Sequence, residues 1–386
     1  MGILDVPSYS RQAADARFTN KAVPSYAGTR AGSFDRRLSL YNATETNLRK
    51  LRMKIAAAKQ GGSCRLALCG DSETRGFGAT FQKSWPIQLQ ALLTGAGAVL
   101  QGSFIGAGDG GAHDSRVTYG TGGGDATGMT RTIAAGGTVT FVTDTACTSL
   151  YIVFQDNGNP FSFTVDGAAP ASGNVSISGT GTYSAGTVTP GNTSTYKTAT
   201  VTGLSNATHT VVITGAAGSF STWVQGVMPV GATPGLLVVN AGESGSKASS
   251  WKRTGTNEFQ QVQAALSPNP DVVLFSLGVN DINTGGTVAT YKTDYTAAIN
   301  LATATGAAVL LVVEPHPSPV AQATWEQAVA AQYDIADSLG LPLLDIYHRW
   351  GNYTTANGLG VMFDTLHPNP SGYADTARAV FNVLNA

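Results

Sequence analysis

Charge is scarce in this chain. Of 386 residues only 23 are Lys or Arg and 24 are Asp or Glu, a formal net charge of −1. That balance leaves no electrostatic footprint for nucleic acid or an acidic membrane surface, so neither is expected as a partner. No stretch is apolar for long enough to span a bilayer. The opening MGILDVPSYSRQAADARFTN lacks the basic-then-apolar pattern of a secretory leader, so the expectation is a mature chain or another route of export. Cysteine is equally sparse. Cys64, Cys69 and Cys147 are an odd, scattered trio, which is no disulfide framework, and no Cys/His spacing suits zinc. They read as small buried apolar side chains, and no metal or cofactor is expected. No internal repeat stands out. What the chain does have is 47 glycines and 42% hydrophobic residues in regular runs. This composition excludes disorder and fits an extracellular or particle-surface protein rich in β-structure and turns.

Taken in order, the length favours two domains. Residues 1–40 are polar and irregular, with Pro7 and Pro24, and read as an N-terminal arm or attachment segment. Residues 42–59 place Leu48, Leu51 and Ile55 on one helical face. Gly61-Gly62 stops that helix, a strand follows at 65–69, and a second helix is expected at 84–93 with Trp85, Leu89 and Leu92 buried. Between positions 117 and 230 the only charged residues are Asp125, Arg131, Asp144, Asp156, Asp166 and Lys197. Short alternating runs recur at 138–142, 150–154, 161–165, 175–178, 198–201 and 210–213, and Asp166-Gly167 is a hairpin signal. This is the pattern of an antiparallel β-sandwich. From position 235 continuous apolar strands return at 236–239, 272–277, 308–313 and 343–345, with helices expected at 258–266, 291–304 and 324–338. Such strands belong to a parallel sheet buried on both faces. The organisation is therefore one discontinuous α/β domain, 41–116 with 231–386, interrupted by a sandwich at 117–230 between its first and second strands. The ends of that insert are expected to lie close together, so that a short linker in its place would leave the α/β domain folded.

The strand at 65–69 ends in GDSETRGFG, which exposes Ser72 in a turn at the carboxyl end of a sheet, where α/β proteins place their sites. Three further strand ends or loops carry NAGESG, with Gly245, GVND, with Asn280, and DTLHPNPSGY, with Asp364 and His367. With these four blocks in this order, the chain resembles the SGNH hydrolases of the GDSL esterase family. The resemblance covers roughly 65–93 and 236–384 and does not cover the arm or the sandwich. Glu73 departs from it, since the family usually has an apolar residue there. The resemblance implies a flavodoxin-like three-layer α/β/α fold, here with an inserted antiparallel, jelly-roll-like sandwich. It also implies Ser72 as nucleophile and an oxyanion hole formed by the Ser72 and Gly245 N–H groups and the Asn280 amide.

The chemistry needs these residue types. A serine must lose its proton as it attacks an ester, and His367, with an unperturbed value near neutrality, suits a general base. Asp364, three residues earlier, can hold the imidazole tautomer and stabilise the imidazolium. Gly242 is the competitor of Gly245 for the oxyanion N–H, and the spacing favours Gly245. His113, His209, His316 and His348 have no motif and are expected in loops or on element surfaces; Glu314 and Trp251 either line the cleft or pack. The expected reaction is hydrolysis of O-acyl, above all O-acetyl, esters on a carbohydrate polymer. The sandwich is read, by analogy, as like a carbohydrate-binding module. The alternatives are a lipase or thioesterase of the same family, or a surface or virion adhesion protein that uses the fold only to bind glycans. The arm resembles those of bacteriophage tail proteins, which implies an extracellular or virion location and attachment to a larger particle, or a homo-oligomer.

Overall fold

The computed structural model describes residues 34–385 apart from 36–37, 109–111, 121–122, 128–129, 217–220 and 253–256. Most of the arm, residues 1–33 and 36–37, therefore lies outside the described residues. Six parallel strands form the centre of one sheet: β1 (Cys64–Gly70), β2 (Leu100–Ser103), β3 (Leu236–Gly242), β4 (Val272–Ser276), β5 (Ala308–Val313) and β6 (Leu343–Asp345), in the order β2-β3-β1-β4-β5-β6. Leu40–Tyr41 pairs antiparallel with β6 and Phe34–Asp35 pairs with Leu40–Tyr41, so the described end of the arm extends this sheet. Both faces are covered. Along β1, Cys64, Leu66 and Leu68 enter one apolar cluster, with Leu51, Leu89 and Val380, while Ala67 and Cys69 enter the other, with Val262, Tyr295 and Trp325. Strand geometry turns successive side chains to opposite faces, which is why this run is apolar at nearly every position. The first cluster lies under α1 (Glu45–Lys59), α3 (Trp85–Gly95) and α8 (Pro370–Leu384); the second lies under α4 (Glu258–Leu266), α6 (Val288–Ala304) and α7 (Gln322–Leu339).

The strand order reverses at β1, which lies between β3 and β4. Ligands of open α/β sheets bind in the crevice at such a switch point. The register of β1 with β3 runs in step from Cys64↔Leu236 to Gly70↔Gly242, so both strands release their chains at the same level.

Between β2 and β3 the chain builds two antiparallel sheets. One contains, in order, Val175–Ile177, Tyr196–Val201, Ser149–Gln155, Thr222–Val230, Thr130–Ile133 and Gly123–Thr127, with Ile105–Gly106 also paired to Thr222–Val230. The other contains Gly181–Ser184, Thr187–Pro190, Phe161–Val165, Thr210–Gly215, Thr138–Val142 and Val117–Tyr119. Side chains of both enclose one apolar cluster, including Ile152, Phe154, Val224 and Val227 from the first and Phe141, Phe163, Val211 and Ile213 from the second. The excursion follows β2, a strand the sequence reading passed over. LQGS is short and half-exposed at the sheet edge, and carries little of the apolar signal of a buried strand. At the predicted hairpin both Asp166 (φ +51°) and Gly167 (φ +82°) adopt left-handed backbone, but only Ala168 continues the pairing, through a single bridge to Val165.

Two of the histidines expected in loops or on element surfaces do lie in loops but are buried: His316 is 6% and His209 3% exposed. His209 faces acceptors on both ring nitrogens. Nδ1 lies 2.7 Å from Asp166 Oδ2, and Nε2 lies 2.9 Å from the Ser205 carbonyl and 3.3 Å from that of Cys147. Burial opposes charge on this ring, but the carboxylate and the carbonyls outweigh it and raise its pKa. A raised folded-state value stabilises the fold fully below the unfolded histidine value and ceases to do so as pH rises through the folded one. The Tm advantage of wild type over His209→Gln should therefore be larger at about pH 6 than at about pH 9. A pH-independent difference in thermal melts would show that the charge on this ring does not matter.

Candidate active site

Ser72 opens α2 (Ser72–Arg75), one turn directly after β1. Asp71 caps that turn by accepting the Glu73 N–H at 2.9 Å, and Gly76, at φ +101°, closes it. As the first helical residue, Ser72 has a backbone N–H with no acceptor inside the helix. Its Oγ lies 2.9 Å from His367 Nε2. His367 Nδ1 lies 2.9 and 3.1 Å from the two Asp364 oxygens. An ionised carboxylate only accepts, so Nδ1 carries the proton and Nε2 presents its lone pair to the serine hydroxyl. Burial alone would raise the Asp364 pKa, but bonds from the His367 ring and from the Leu366 and His367 N–H groups, both 2.7 Å, hold it below the ordinary carboxylate value. The Phe77 ring packs on the imidazole, centroids 4.3 Å apart, and Phe363 stands 60% exposed beside Asp364.

The two glycines after β3 have different surroundings. The Gly242 N–H donates to Asn240 Oδ1 at 3.0 Å, and a Cβ there would lie 2.2 Å from the Arg75 nitrogen, so this glycine lets β3 pass against the backbone of α2. Gly245 has φ +80° and open space about its Cα, in the turn closed by the Ser246 N–H on the Glu243 carbonyl. Its N–H is the one still available to a ligand by position. The third expected donor, Asn280, is the second residue of the short helix α5 (Val279–Asn283) after β4. Its Nδ2 donates to Asp71 Oδ2 at 2.7 Å and to the Ser246 carbonyl at 3.2 Å. The amide thus joins the blocks of Ser72, Gly245 and Asn280.

Several residues at the site had no role in the sequence reading. Asp281 accepts the Ala248 N–H with both oxygens, 3.2 and 3.1 Å, and so anchors the loop of Gly245 from the neighbouring block; burial pushes its carboxyl up to about 6. Trp251 packs rather than lines the cleft: it is buried and donates to Ser246 Oγ at 2.9 Å. Glu73 turns inward, 4% exposed, and burial with Glu314, Asp71 and Asp364 nearby raises its pKa well above the ordinary value. Among the described residues no cluster of His, Cys, Asp and Glu could hold a metal ion, and no helix is long and apolar enough to cross a membrane.

Residues 201–374 match the family described as GDSL-like lipase/acylhydrolase. That span holds Gly245, Asn280, Asp364 and His367; Ser72 precedes it. A solved structure of a peptidoglycan O-acetylesterase superposes with a TM-score of 0.62 at 14% identity, over 90% of this chain and 98% of that one. A two-domain esterase active on acetylated mannans aligns with a TM-score of 0.43 at 13% identity, over 90% and 56% of the two chains. A family two carbohydrate esterase from Cellvibrio japonicus gives 0.28 at 13% identity, over 70% and 96%. These last two scores are too low to bear on the fold. No curated protein sequence matches the chain. Sheet order, site position and the first superposition support an SGNH hydrolase fold.

Proposed function

We propose that this protein is a serine esterase that removes O-acyl groups, above all O-acetyl groups, from a carbohydrate polymer. The observation that carries the reading is the continuous chain from Ser72 Oγ through the His367 ring to Asp364, with each contact at 2.9 Å. In this mechanism Ser72 attacks the acyl carbon as its proton passes to His367 Nε2. The Asp364 carboxylate stabilises the imidazolium. The oxyanion is met by the Ser72 and Gly245 N–H groups and by the Asn280 amide after it leaves the Ser246 carbonyl. His367 then returns the proton to the departing sugar oxygen, and water repeats the sequence on the acyl-serine. Each oxyanion donor in such a site is worth roughly 3–4 kcal/mol.

The acylhydrolase family match supports the reaction class, and the peptidoglycan O-acetylesterase with the same fold supports an acetylated glycan. The two antiparallel sheets are read as an inserted sandwich that helps capture the polymer, by analogy with binding modules beside hydrolases. The test is an acetate-release screen over acetylated polysaccharides and peptidoglycan, run beside p-nitrophenyl esters of increasing acyl length. Acetate release with a steep loss on longer acyl chains is expected. A preference for long chains would replace the reading with a lipase or thioesterase, and inertness toward every ester would replace it with glycan adhesion.

A further inference from the structure

Behind the nucleophile turn three carboxyl groups converge out of contact with water: Asp71, Glu73 and Glu314 are 0, 4 and 1% exposed. Glu314 follows β5. Its Oε2 accepts the N–H of Val279, the first residue of α5, at 2.8 Å, and its carboxyl lies close enough to that of Asp71 for the two charges to repel. Asp71 holds the Asn280 amide. No protein donor among the described residues reaches Glu314 Oε1. Two carboxylate anions held side by side out of water repel strongly, so the pair favours keeping one proton. Asp71 already accepts at both oxygens, from Glu73 N–H and from Asn280, and an anion serves both bonds better. Glu314 accepts only one, and its Oε1 lacks a donor. The proton of the pair is therefore assigned to Glu314.

We propose that Glu314 is a positioning residue for the oxyanion donor Asn280: as a neutral acid it fixes the start of α5 through Val279 and aims the Asp71 carboxylate that holds the Asn280 amide. It touches no substrate atom. Burial raises both carboxyls, Asp71 to about 7 and Glu314 well above the ordinary range. Other titratable groups facing the pair are Glu73 from α2, Asp281 from α5, Tyr291 and Tyr295 from α6, Tyr373 from α8 and Asp364 from the loop before it. Lys247 acts on Asp281 and His367 on Asp364, but none of the groups that shift Glu314 is a cation, so ionising Glu314 as well would place a second anion against Asp71 and open the clamp on Asn280.

The role assigned to Asn280 rests on the esterase reading, and the experiment separates the two. Glutamine reproduces a protonated glutamic acid: its oxygen accepts the Val279 N–H and its Nε2 donates to Asp71. Glu314→Ala should lower kcat on an acetyl ester by about tenfold or more with KM nearly unchanged, because the lost interaction belongs to the transition state. Glu314→Gln should restore kcat to within about threefold of wild type and carry its plateau further into alkaline pH. Equal losses in the two variants, or wild-type kcat in Glu314→Ala, would overturn the proposal. A measurement without substrate accompanies the kinetics. Infrared spectra at about pH 8 should show the carbonyl stretches of two protonated carboxyls, from Glu73 and Glu314, and only one in Glu314→Gln. Spectra unchanged by the substitution would place the proton elsewhere and overturn the proposal even if wild type hydrolysed no ester, an outcome that would remove the esterase reading on separate grounds.

Discussion

Ser72→Ala should lower ester turnover by roughly 10⁵–10⁶-fold and leave the protein folded, with a melting temperature close to wild type. The size of the loss follows from the geometry. The Ser72 hydroxyl is the group aligned on His367 Nε2, and no other hydroxyl is hydrogen-bonded to that nitrogen among the described residues. The fold should survive because the substitution removes one oxygen from a turn held by other bonds: Asp71 on the Glu73 N–H, the Gly76 N–H on the Ser72 carbonyl, and the Thr74 and Arg75 side chains buried below. His367→Ala should cost nearly as much, and the double variant little more than either, since the pair acts as one unit. Purified Ser72→Ala with turnover within tenfold of wild type would show that ester cleavage proceeds elsewhere.

Much of this site was readable because the information is local. GDSETRGFG carries a strand end into a turn that Ser72 opens, although the residue is only 8% exposed rather than standing out in solvent, and Asp364 reaches His367 within a single loop, so adjacency in sequence becomes adjacency in space. The parallel strands were readable because burial on both faces writes an unbroken apolar run. What was not readable depends on register across the sheet. Glu314 meets Asp71 only because β5, β4 and β1 end at comparable levels, and nothing in VVEPHP distinguishes a buried acid from a solvated one. Asp281 had no role in the sequence reading, because only the fold brings Ala248 to it. The burial of His209 within its loop was not readable because its acceptors, Asp166, Ser205 and Cys147, come from separate segments. The strand β2 failed for a different reason: an edge strand with a glycine and two polar residues carries almost no periodicity.

Replacing residues 117–230 by a short Gly/Ser linker is expected to abolish cooperative folding, contrary to what the sequence alone suggested. The composition shift marks where texture changes, but it says nothing about what the inserted sheets cover. Here the outer face of the first antiparallel sheet is not exposed. Val153 and Met228 share one apolar cluster with Phe259, Val262, Ala265 and Leu266 of α4 and with Phe104 after β2. Polar bonds fix the same face: Thr198 Oγ1 donates to the Ala264 carbonyl at 2.7 Å, and Gln261 Nε2 to Tyr196 Oη at 3.1 Å. At the junction Arg116 binds Asp114 and Asp144 while donating to the carbonyls of Ser103 and Phe104. Excision would return three or four large apolar side chains of the α/β domain to water, at roughly 2 kcal/mol each. The total, about 6–8 kcal/mol, lies within the whole stability of an ordinary domain. Linkers of several lengths should therefore give insoluble protein or broad, non-cooperative melts by circular dichroism. A soluble linker variant that melts cooperatively and hydrolyses p-nitrophenyl acetate at the wild-type rate would show that α4 repacks without the sheet, and that the insert serves only the polymer.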